Sequence, residues 1–434
     1  MIPAGRLLAL LAVLLALAAV SIVFAGLRLP AAAALIVLCA VAGFDALLAW
    51  RAQPLAAERA VPGSLALGVW HPIHVRLRNA STSRRDAAIY DHHPASCEIR
   101  GLPQRVRIGP QGWAELEYQL KPLTRGELEF GAVELRTLSP LALWERRTRA
   151  ADATLIRVYP NFAALSKYAL LATDQRLSQI GVLQRQRRGE GLEFHQLREY
   201  REGDMQRQID WKATSRAGKL ISREYQDERD QNVVFLIDCG RRLGAHDDAL
   251  SHFDHVLNAV LLLAYVSVRQ GDAAGFMTMS GHTRFMAPRK SAATVTAMLN
   301  QLYDLQPTLS TSDYYAAAVQ LMVRVRKRAL IVIVSNLRDE DEDTLAPALN
   351  LLNRRHLVLF ASLREAILSR ALKTRIDTHE RALTYAATAD YLRNRELAFR
   401  RLARAGTQCL DVEPTELPIA LVNRYLDIKR ARLL

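Results

Sequence analysis

Two short apolar runs decide the fold of the C-terminal half of the chain: residues 233–237, Val-Val-Phe-Leu-Ile, and residues 329–334, Ala-Leu-Ile-Val-Ile-Val. Continuous apolar runs of this kind are typical of strands buried on both faces of a parallel sheet. Around them, apolar residues recur with helical spacing, most clearly from Leu250 to Arg269 and from Asp313 to Lys327. Strands that alternate with helices predict a doubly wound α/β domain over residues 231–434.

Polar residues directly after these runs mark a candidate binding edge. Asp238 follows the first run, Ser335 and Asn336 follow the second, and the loop 308–312 precedes a predicted helix. Open parallel sheets bind ligands outside the carboxyl ends of their strands, where such residues converge. The sequence therefore predicts a crevice at Asp238 and Asn336, with the hydroxyl of Thr311 as a further candidate.

Length and composition exclude several classes of protein. The 434 residues are 50% hydrophobic and 24% charged, with 21 Gly and 16 Pro. These values exclude collagen-like, disordered and low-complexity chains, and the length fits two or three domains. The net charge of +14 favours anionic partners. The four cysteines lie far apart and form no Cys-x-x-Cys pair, which favours a reducing compartment over disulfides or a thiolate zinc site.

Two apolar stretches at the N-terminus have the length of membrane spans. Residues 7–25 carry no charge, and residues 29–50 carry only Asp45. About 20 apolar residues cross a hydrocarbon core of about 30 Å. We therefore expect a transmembrane hairpin, with a cleaved signal peptide as the alternative. Asp45 is expected at the membrane interface, within reach of water, and the alternative is a buried functional carboxylate.

Basic residues around the hairpin predict its orientation. Arg6 precedes it, Arg51 and Arg59 follow it, and Arg28 alone lies in the turn, so the soluble body is expected in the cytoplasm. Residues 51–180 carry 18 Lys and Arg against 12 Asp and Glu, an excess that would strengthen contact with an anionic leaflet.

Residues 57–161 alternate polar and apolar residues between turns. Residues 74–78 and 114–118 alternate strictly, and Gly-Pro-Gln-Gly at 109–112 forms a turn between strands. A period of two between such turns predicts antiparallel strands, and about 100 residues of this pattern fit an all-β, sandwich-like domain.

Residues 189–230 are dense in charges of both signs and contain Trp211. Neighbouring opposite charges, such as Arg198/Glu199 and Asp210/Lys212, predict ion pairs that fix loops with little regular structure. A solvated charged face does not require a tryptophan, however. The alternative is that this segment forms an exposed docking surface or anion site.

The same segment resembles a known family. Residues 189–211 match the pattern G-x-G-x-E-F-x-x-L-R-E-Y-x-x-G-D-x-x-R-x-I-D-W, and Arg-Glu-Tyr follows at 223–225. The chain thereby resembles bacterial membrane proteins of the domain of unknown function 58 family, and Ser139-Pro140-Leu141 resembles another family segment with Ser139 in place of the usual Asp. The resemblance gives these candidate binding residues: Glu193, Phe194, Arg198, Glu199, Tyr200, Gly203, Asp204, Arg207, Asp210, Trp211, Arg223 and Glu224.

The resemblance implies a multidomain protein. It divides the chain into a transmembrane hairpin (1–56), a β-sandwich-like domain (57–161), a linker helix with the charged motif segment (162–230) and a von Willebrand factor type A-like α/β domain (231–434). Family genes commonly sit beside those of MoxR-type AAA+ ATPases, which implies such an ATPase as a protein partner in assembly, maturation or envelope stress tolerance. The implied location is the inner membrane of a bacterium, multi-pass, with the bilayer itself as a second partner.

A von Willebrand factor type A domain carries a metal-ion-dependent adhesion site built from D-x-S-x-S, a loop Thr and a later Asp. This chain keeps Asp238, but Gly240 and Arg242 replace the two serines and Asn336 stands where the Asp is expected. Mg²⁺ needs near-octahedral oxygen ligands, and Arg242 is a candidate to neutralise Asp238 instead. We therefore expect no cofactor, and the alternative is weak Mg²⁺ binding at Asp238, Thr311 and Asn336.

No catalytic motif of a metalloprotease, an α/β-hydrolase or a P-loop NTPase is found in the sequence. Its basic residues lack the interleaved aromatics of a nucleic-acid-binding surface, so no nucleic acid partner is expected. The sequence therefore predicts a membrane-anchored cytoplasmic protein-binding adaptor and not an enzyme. The alternative is an adhesion-type receptor that binds a partner carboxylate through a divalent cation at Asp238.

Overall fold

The chain forms two compact units, Met1–Tyr159 and Pro160–Leu434. Each unit is described by itself below. The linker helix expected after residue 162 lies outside the described residues. The computed structural model describes residues 1–161, 193–201, 206–226, 231–247, 250–281, 283–338 and 341–433.

Two apolar helices open the first unit. They are α1 (Gly5–Val23) and α2 (Arg28–Arg51), joined by a 3-10 turn at Ala25–Leu27. By length and composition both can cross a membrane. Leu7 is the one buried residue of α1, and helices that expose apolar side chains on nearly every side suit a hydrocarbon environment. The bounds confirm the hairpin predicted from the sequence.

Three sheets make up the rest of the first unit. The strands are β1 (Ile2–Pro3), β2 (Ala56–Ala60), β3 (Ser64–Ala66), β4 (His71–Arg78), β5 (Arg85–Asp91), β6 (Cys97–Arg100), β7 (Gln104–Ile108), β8 (Trp113–Pro122), β9 (Gly126–Phe130), β10 (Val133–Leu138), β11 (Trp144–Ala151) and β12 (Thr154–Tyr159). The strand orders of the three sheets are β2-β4-β8-β6, β1-β11-β10-β5-β7 and β3-β12-β9.

Alternation along these strands forms the β core. In β4, for example, Ile73, Val75 and Leu77 are buried and the residues between them face outward. A buried polar cluster joins the two larger sheets: Arg59 of β2 pairs with Asp91 of β5 at 2.5 Å. The hydroxyl of Tyr118 in β8 donates to the same carboxylate at 2.7 Å. Burial, followed by the charge of Asp91, raises the pKa of Tyr118.

Asp45 is where the helical hairpin meets the β-rich part, and its expected position within reach of water is wrong. Its side chain is fully buried. The Ser139 hydroxyl donates to Asp45 Oδ2 at 2.5 Å, and the backbone N–H groups of Leu141 and Leu143 donate to Oδ1 at 3.0 Å and Oδ2 at 3.3 Å. The carboxylate thus binds the turn between β10 and β11, a partner that sequence spacing does not show.

Further contacts hold both ends of the hairpin against the β-rich part. Trp144 Nε1 donates to the carbonyl of Ala42 at 2.8 Å, and Arg146 Nη1 donates to the carbonyls of Ala49 and Ala52 at the end of α2. Before α1, β1 pairs antiparallel with β11. Both ends of the helical hairpin therefore lie against the β-rich part.

Residues 193–226 of the second unit contain a β-hairpin with a short helix between its strands. Strands β13 (Glu193–Glu199) and β14 (Ile221–Gln226) pair antiparallel. Between them lie a 3-10 turn at Gln206–Gln208 and helix α3 (Trp211–Ala217), which ends at Gly218 in the left-handed conformation. The described part of residues 193–226 is called the hairpin module below.

A six-stranded sheet of order β17-β16-β15-β18-β19-β20 forms the body of the second unit. All neighbours are parallel except β17, which pairs antiparallel with β16. This edge strand was not predicted from the sequence. The strands are β15 (Asn232–Asp238), β16 (Ala273–Met279), β17 (Phe285–Arg289), β18 (Ala329–Ser335), β19 (Leu357–Leu363) and β20 (Gln408–Val412).

Helices cover both faces of this sheet. The helices are α4 (His252–Arg269), α5 (Thr294–Leu302), α6 (Tyr314–Arg324), α7 (Glu342–Asn353), α8 (Ala366–Lys373), α9 (His379–Arg404) and α10 (Leu417–Arg430). Alternate residues of β15 enter two cores: Val233, Phe235 and Ile237 pack with α4 and α10, whereas Val234 and Leu236 pack with α6 and α7. This is the doubly wound arrangement that the apolar runs predict.

Candidate functional site

Asp210 organises the hairpin module. Its Oδ1 accepts the backbone N–H of Ala213 at 3.0 Å, which caps the N-terminus of α3, and its Oδ2 accepts Arg223 Nε of β14 at 2.9 Å. Asp210 N–H also donates to the carbonyl of Ile221 at 2.9 Å. The hydrogen bonds from Ala213 and Arg223 lower the pKa of Asp210. One carboxylate thus fixes α3 against the hairpin.

A second ion pair lies at the end of β13, the other strand of the module. Lys219 lies against the carboxylate of Glu199 and lowers its pKa. Tyr200 N–H donates to the carbonyl of Leu220 at 3.0 Å. The sequence correctly predicted that paired charges hold this segment, but the partners are wrong: Asp210 pairs with Arg223 across the hairpin and not with Lys212, and Glu199 pairs with Lys219. Cross-strand register decides these pairs, and sequence proximity does not.

Trp211, the first residue of α3, is exposed over 67% of its surface. Leu197 and Leu220 of the same module are also exposed, at 46% and 45%. Arg198 Nη1 donates a hydrogen bond to the carbonyl of Glu199 at 3.1 Å. Gly203 and Asp204 lie outside the described residues. Only the backbone is described for Glu193, Phe194, Arg207 and Glu224.

Asp238 is fully buried at the end of β15. Its Oδ1 accepts the N–H of Gly240 at 2.8 Å and the hydroxyl of Ser312 at 2.7 Å, and its Oδ2 accepts the hydroxyl of Ser335 at 2.5 Å. The Tyr314 hydroxyl lies 2.7 Å from Ser335 Oγ. Burial and the charge of Asp238 raise the pKa of Tyr314. Three donors therefore satisfy the carboxylate. Two of them are the hydroxyls of Ser312 and Ser335, which the sequence places at this edge without indicating that they bind Asp238.

Arg242 does not neutralise Asp238, so that expectation is wrong. Its Nη1 donates to Asp341 Oδ2 at 2.5 Å and to the carbonyl of Asn336 at 3.1 Å. Arg242 lies on a 3-10 turn beyond Gly240, and its long side chain reaches the N-terminal end of α7, where Asp341 is nearly buried. The guanidinium of Arg242 thus lies beside the crevice but pairs with Asp341 and not with Asp238.

Asn336 is held by two other side chains. Its Nδ2 donates to Glu365 Oε1 at 2.7 Å, and its Oδ1 accepts Arg395 Nη1 at 3.3 Å. Arg395 of α9 is nearly buried and also pairs with Asp411 of β20 at 2.9 Å and donates to Ser362 Oγ at 2.6 Å. Its guanidinium therefore fills the carboxyl ends of β18, β19 and β20. An arginine inside a helix gives no sequence signal for such a position.

Thr311 is exposed, unlike Asp238 and Asn336. From the same loop, it is Ser312 whose hydroxyl contacts Asp238. This contact requires a glycine at position 240, because a Cβ there would lie 2.8 Å from Ser312 Oγ and 3.0 Å from Asp238 Oδ1. Among the residues that the structure describes, no group of three His, Cys, Asp or Glu could hold a metal ion. Mg²⁺ needs several free oxygen ligands. Here the one carboxylate already accepts three hydrogen bonds, and Arg242 and Arg395 bind the oxygens of the neighbouring Asn336. The crevice therefore does not fit Mg²⁺.

The loop beside this crevice exposes a leucine. Leu309 is 93% exposed. Its neighbour Ser310 accepts the N–H of Arg241 at 3.2 Å, and Thr308 Oγ1 donates to the carbonyls of Cys239 and Ser280, both at 3.0 Å. The loop is therefore fixed on both sides of an apolar side chain that contacts solvent.

Comparison with known proteins finds a family model and a relative that each match part of the chain. The model of the family described as "Protein of unknown function DUF58" matches residues 196–396. The "Uncharacterized protein YeaD" of Bacillus subtilis (strain 168) is 25% identical over 172 residues, 38% of this chain and 39% of that protein. The match thus spans about two fifths of that relative's length.

Two solved structures are similar to parts of the chain. A structure described as an aerotolerance-related membrane protein from Bacteroides fragilis NCTC 9343 is 12% identical and matches 45% of this chain and 98% of that chain, with a TM-score of 0.30. A FixG-related protein from Vibrio parahaemolyticus is 9% identical over 24% of this chain and 97% of that chain, with a TM-score of 0.19.

Proposed function

We propose that the chain, whose residues 196–396 match the model of the family of unknown function DUF58, is a protein-binding adaptor anchored in a bacterial inner membrane by its helical hairpin. The soluble body lies in the cytoplasm. The hairpin module is the docking surface, and the partner is a MoxR-type AAA+ ATPase. The protein is not an enzyme and needs no cofactor.

Exposure of Trp211 carries this proposal. Tryptophan is enriched among the few residues that contribute most of the binding energy at protein interfaces. The indole projects from a helix whose start is fixed by Asp210, which is fixed in turn by Arg223. Binding to a preorganised anchor loses little conformational entropy, so more of the contact energy appears as affinity.

A purely structural role for the module predicts a different arrangement. If the charged segment only stabilised the fold, Trp211 would be buried, and replacing Trp211 by alanine would unfold the body. With 67% of Trp211 exposed, Trp211→Ala removes little packing, and surface substitutions of this kind change stability by about 0.5 kcal/mol or less. Loss of a partner without loss of the fold is therefore the expected phenotype.

A pull-down from native membranes tests the proposal. Detergent-solubilised wild type, Trp211→Ala and the control Trp113→Ala are purified with ATP, with ADP, or with ADP and EDTA, and bound proteins are identified by mass spectrometry. Trp113 is also 67% exposed but lies on β8 of the first unit. We expect nucleotide-sensitive recovery of an AAA+ ATPase by wild type and Trp113→Ala but not by Trp211→Ala. Equal recovery by all three chains would contradict the docking role of the module.

The alternative is a metal-dependent receptor built on a von Willebrand factor type A-like domain. We propose that the α/β body has this kind of fold but that its crevice is held by hydrogen bonds instead of a cation. The support is the set of donors on Asp238 from Gly240, Ser312 and Ser335. In the pull-down, recovery of some other protein that EDTA abolishes would favour the receptor.

A further inference from the structure

The connection between β10 and β11 is apolar, although turns in water favour Gly, Asn, Asp and Ser. Residues 137–144 read Thr-Leu-Ser-Pro-Leu-Ala-Leu-Trp and carry no charge, whereas residues 79–84 between β4 and β5 read Asn-Ala-Ser-Thr-Ser-Arg. Leu138 is 47% exposed and Leu141 is 48% exposed. The segment 138–143, from the end of β10 to the start of β11, is called the apolar turn below.

The apolar turn lies against both helices of the helical hairpin. Leu143 packs in one cluster with Leu7 of α1 and Ala42 of α2. Asp45 of α2 accepts the backbone N–H of Leu141 at 3.0 Å. The apolar turn therefore lies beside the two helices and not beyond their ends.

These contacts place the apolar turn within the length of α2 that suits a hydrocarbon core. The 24 residues of α2 span about 36 Å at about 1.5 Å per residue, which is about 6 Å more than the core of a bilayer. Along the helix axis, Asp45 lies about 9 Å and Ala42 about 13 Å before Arg51. Even with the whole excess at the Arg51 end, Asp45 is at the edge of the core and Ala42 is inside it.

The hydrogen bonds of Asp45 suit this depth. A carboxylate within an apolar span is costly unless protein groups satisfy it, and non-helical backbone at membrane depth is tolerated where it bonds inside the protein. Asp45 is fully buried and accepts hydrogen bonds from the Ser139 hydroxyl and from the N–H groups of Leu141 and Leu143. The apolar turn thus satisfies Asp45, and Asp45 satisfies the backbone of the turn.

The residues that follow the apolar turn along β11 become progressively more polar. Trp144 Nε1 donates to the carbonyl of Ala42, and tryptophan is enriched at membrane–water interfaces. Arg146 Nη1 donates to the carbonyls of Ala49 and Ala52 at the end of α2, where a cation suits anionic headgroups. The order of leucines, tryptophan and arginine follows the order of acyl chains, interface and headgroups.

We propose that the apolar turn inserts into the boundary between acyl chains and headgroups, where Leu138 and Leu141 contact lipid. This contact rests on the membrane anchor of the proposed function and adds a third element to its two helices. Isolated leucines on a soluble surface need no explanation. These two, however, lie beside a helix whose own apolar side chains are exposed, among them Phe44 and Leu48, so the bilayer that surrounds α2 reaches them.

Nitroxide accessibility in phosphatidylcholine nanodiscs tests this proposal on the full chain. A ketone-bearing amino acid that carries a nitroxide replaces Leu141, Ile36 or Leu155, one at a time, so that the native cysteines are kept. Ile36 is exposed near the middle of α2. Leu155 is 59% exposed on β12, which follows the end of β11 farthest from the apolar turn.

Collision rates of each nitroxide are measured with oxygen, which concentrates in lipid, and with a water-soluble nickel chelate. Burial in protein lowers both rates, so the ratio of the oxygen rate to the nickel rate reports on lipid. We expect this ratio to be at least about fivefold higher at position 141 than at position 155, and higher still at position 36. A high ratio at 36 with equal, low ratios at 141 and 155 would overturn the insertion and leave the anchor. Equal, low ratios at all three positions would contradict the anchor and the insertion together.

A polar substitution supplies the matched control. With the nitroxide at position 138, Leu141→Gln should lower the ratio by about twofold or more, because an amide resists transfer into the acyl region. The amide adds no charge beside Asp45. Leu155→Gln, the same change at another exposed leucine, should leave the ratio unchanged. Loss of the high ratio in both variants, or in neither, would overturn the proposal.

Discussion

Replacing Asp45 by alanine tests how the hairpin is joined to the β-rich part. Asp45→Ala removes the acceptor of the Ser139 hydroxyl and of the Leu141 N–H, whereas the Leu143 N–H retains Ser139 Oγ at 3.1 Å. Each buried donor left without an acceptor costs about 1–3 kcal/mol. Because Leu141 is 48% exposed, water can replace part of its loss, and we expect a total of about 2–3 kcal/mol.

The loss should appear as local opening of the β10–β11 turn. At about 1.4 kcal/mol per factor of ten, amides of residues 141–144 should exchange about 30- to 150-fold faster in Asp45→Ala than in wild type, measured by hydrogen exchange of the full chain in nanodiscs. The control Asp86→Ala removes an exposed carboxylate that pairs with Arg107, and it should leave these amides unchanged.

A double-mutant cycle sharpens the test. Ser139→Asp places a second carboxylate where the serine hydroxyl lies 2.5 Å from Asp45 Oδ2, and two buried like charges at that distance repel strongly. Ser139→Asp should therefore open the turn far more in the wild-type background than in Asp45→Ala. Unchanged exchange in Asp45→Ala, or purely additive effects, would refute the assignment of Asp45 as the carboxylate that binds this turn.

Three further predictions concern the second unit. Gly240→Ser should destabilise by about 1–3 kcal/mol, since its Cβ would lie 2.8 Å from Ser312 Oγ; calorimetric Mg²⁺ binding gained by this variant would contradict the closed crevice. Arg395→Met should lower the free energy of urea unfolding by about 3–5 kcal/mol, because Asp411 keeps only Arg364 at 3.9 Å and the buried acceptors Ser362 Oγ and the carbonyl of Leu363 lose their donor. A change below about 1 kcal/mol would rule out that role. Burial, reinforced by Arg355, lowers the pKa of His356. The unfolded state therefore binds the proton first, so stability is full above pH about 6.5 and falls on acidification by at most about 1.4 kcal/mol per pH unit. His356→Phe should flatten this slope in urea unfolding at pH 7.5 and 5.5, and an unchanged slope would contradict the assignment.

Local patterns predict much of the architecture. The apolar runs at 233–237 and 329–334 become adjacent strands, and the hairpin helices begin and end within a few residues of the expected positions. The antiparallel strand Phe285–Arg289 was missed, because a short strand buried on one side lacks a continuous apolar run. These elements depend on local hydrophobic patterning, which sequence contains.

Side-chain partners were harder to predict. Asp45 lies 94 residues from Ser139, and Asp238 lies 97 residues from Ser335. From the sequence, both Asp238 and Asp341 are candidate partners of Arg242. The 3-10 turn that carries Arg242 directs its side chain to Asp341, which only the three-dimensional structure shows. Long-range register sets such contacts, so the motif residues could be proposed from the sequence while their partners could not.

Photo-crosslinking from position 211 tests the docking role of the hairpin module most directly. A benzophenone amino acid replaces Trp211 in the full chain in native membranes, and a chain with the same residue at Trp113 serves as the control. We predict a crosslink from position 211 to an AAA+ ATPase that depends on nucleotide and is absent from position 113. Crosslinks from position 211 only to lipid or to a second copy of this chain, or equal capture of the ATPase from both positions, would contradict the account.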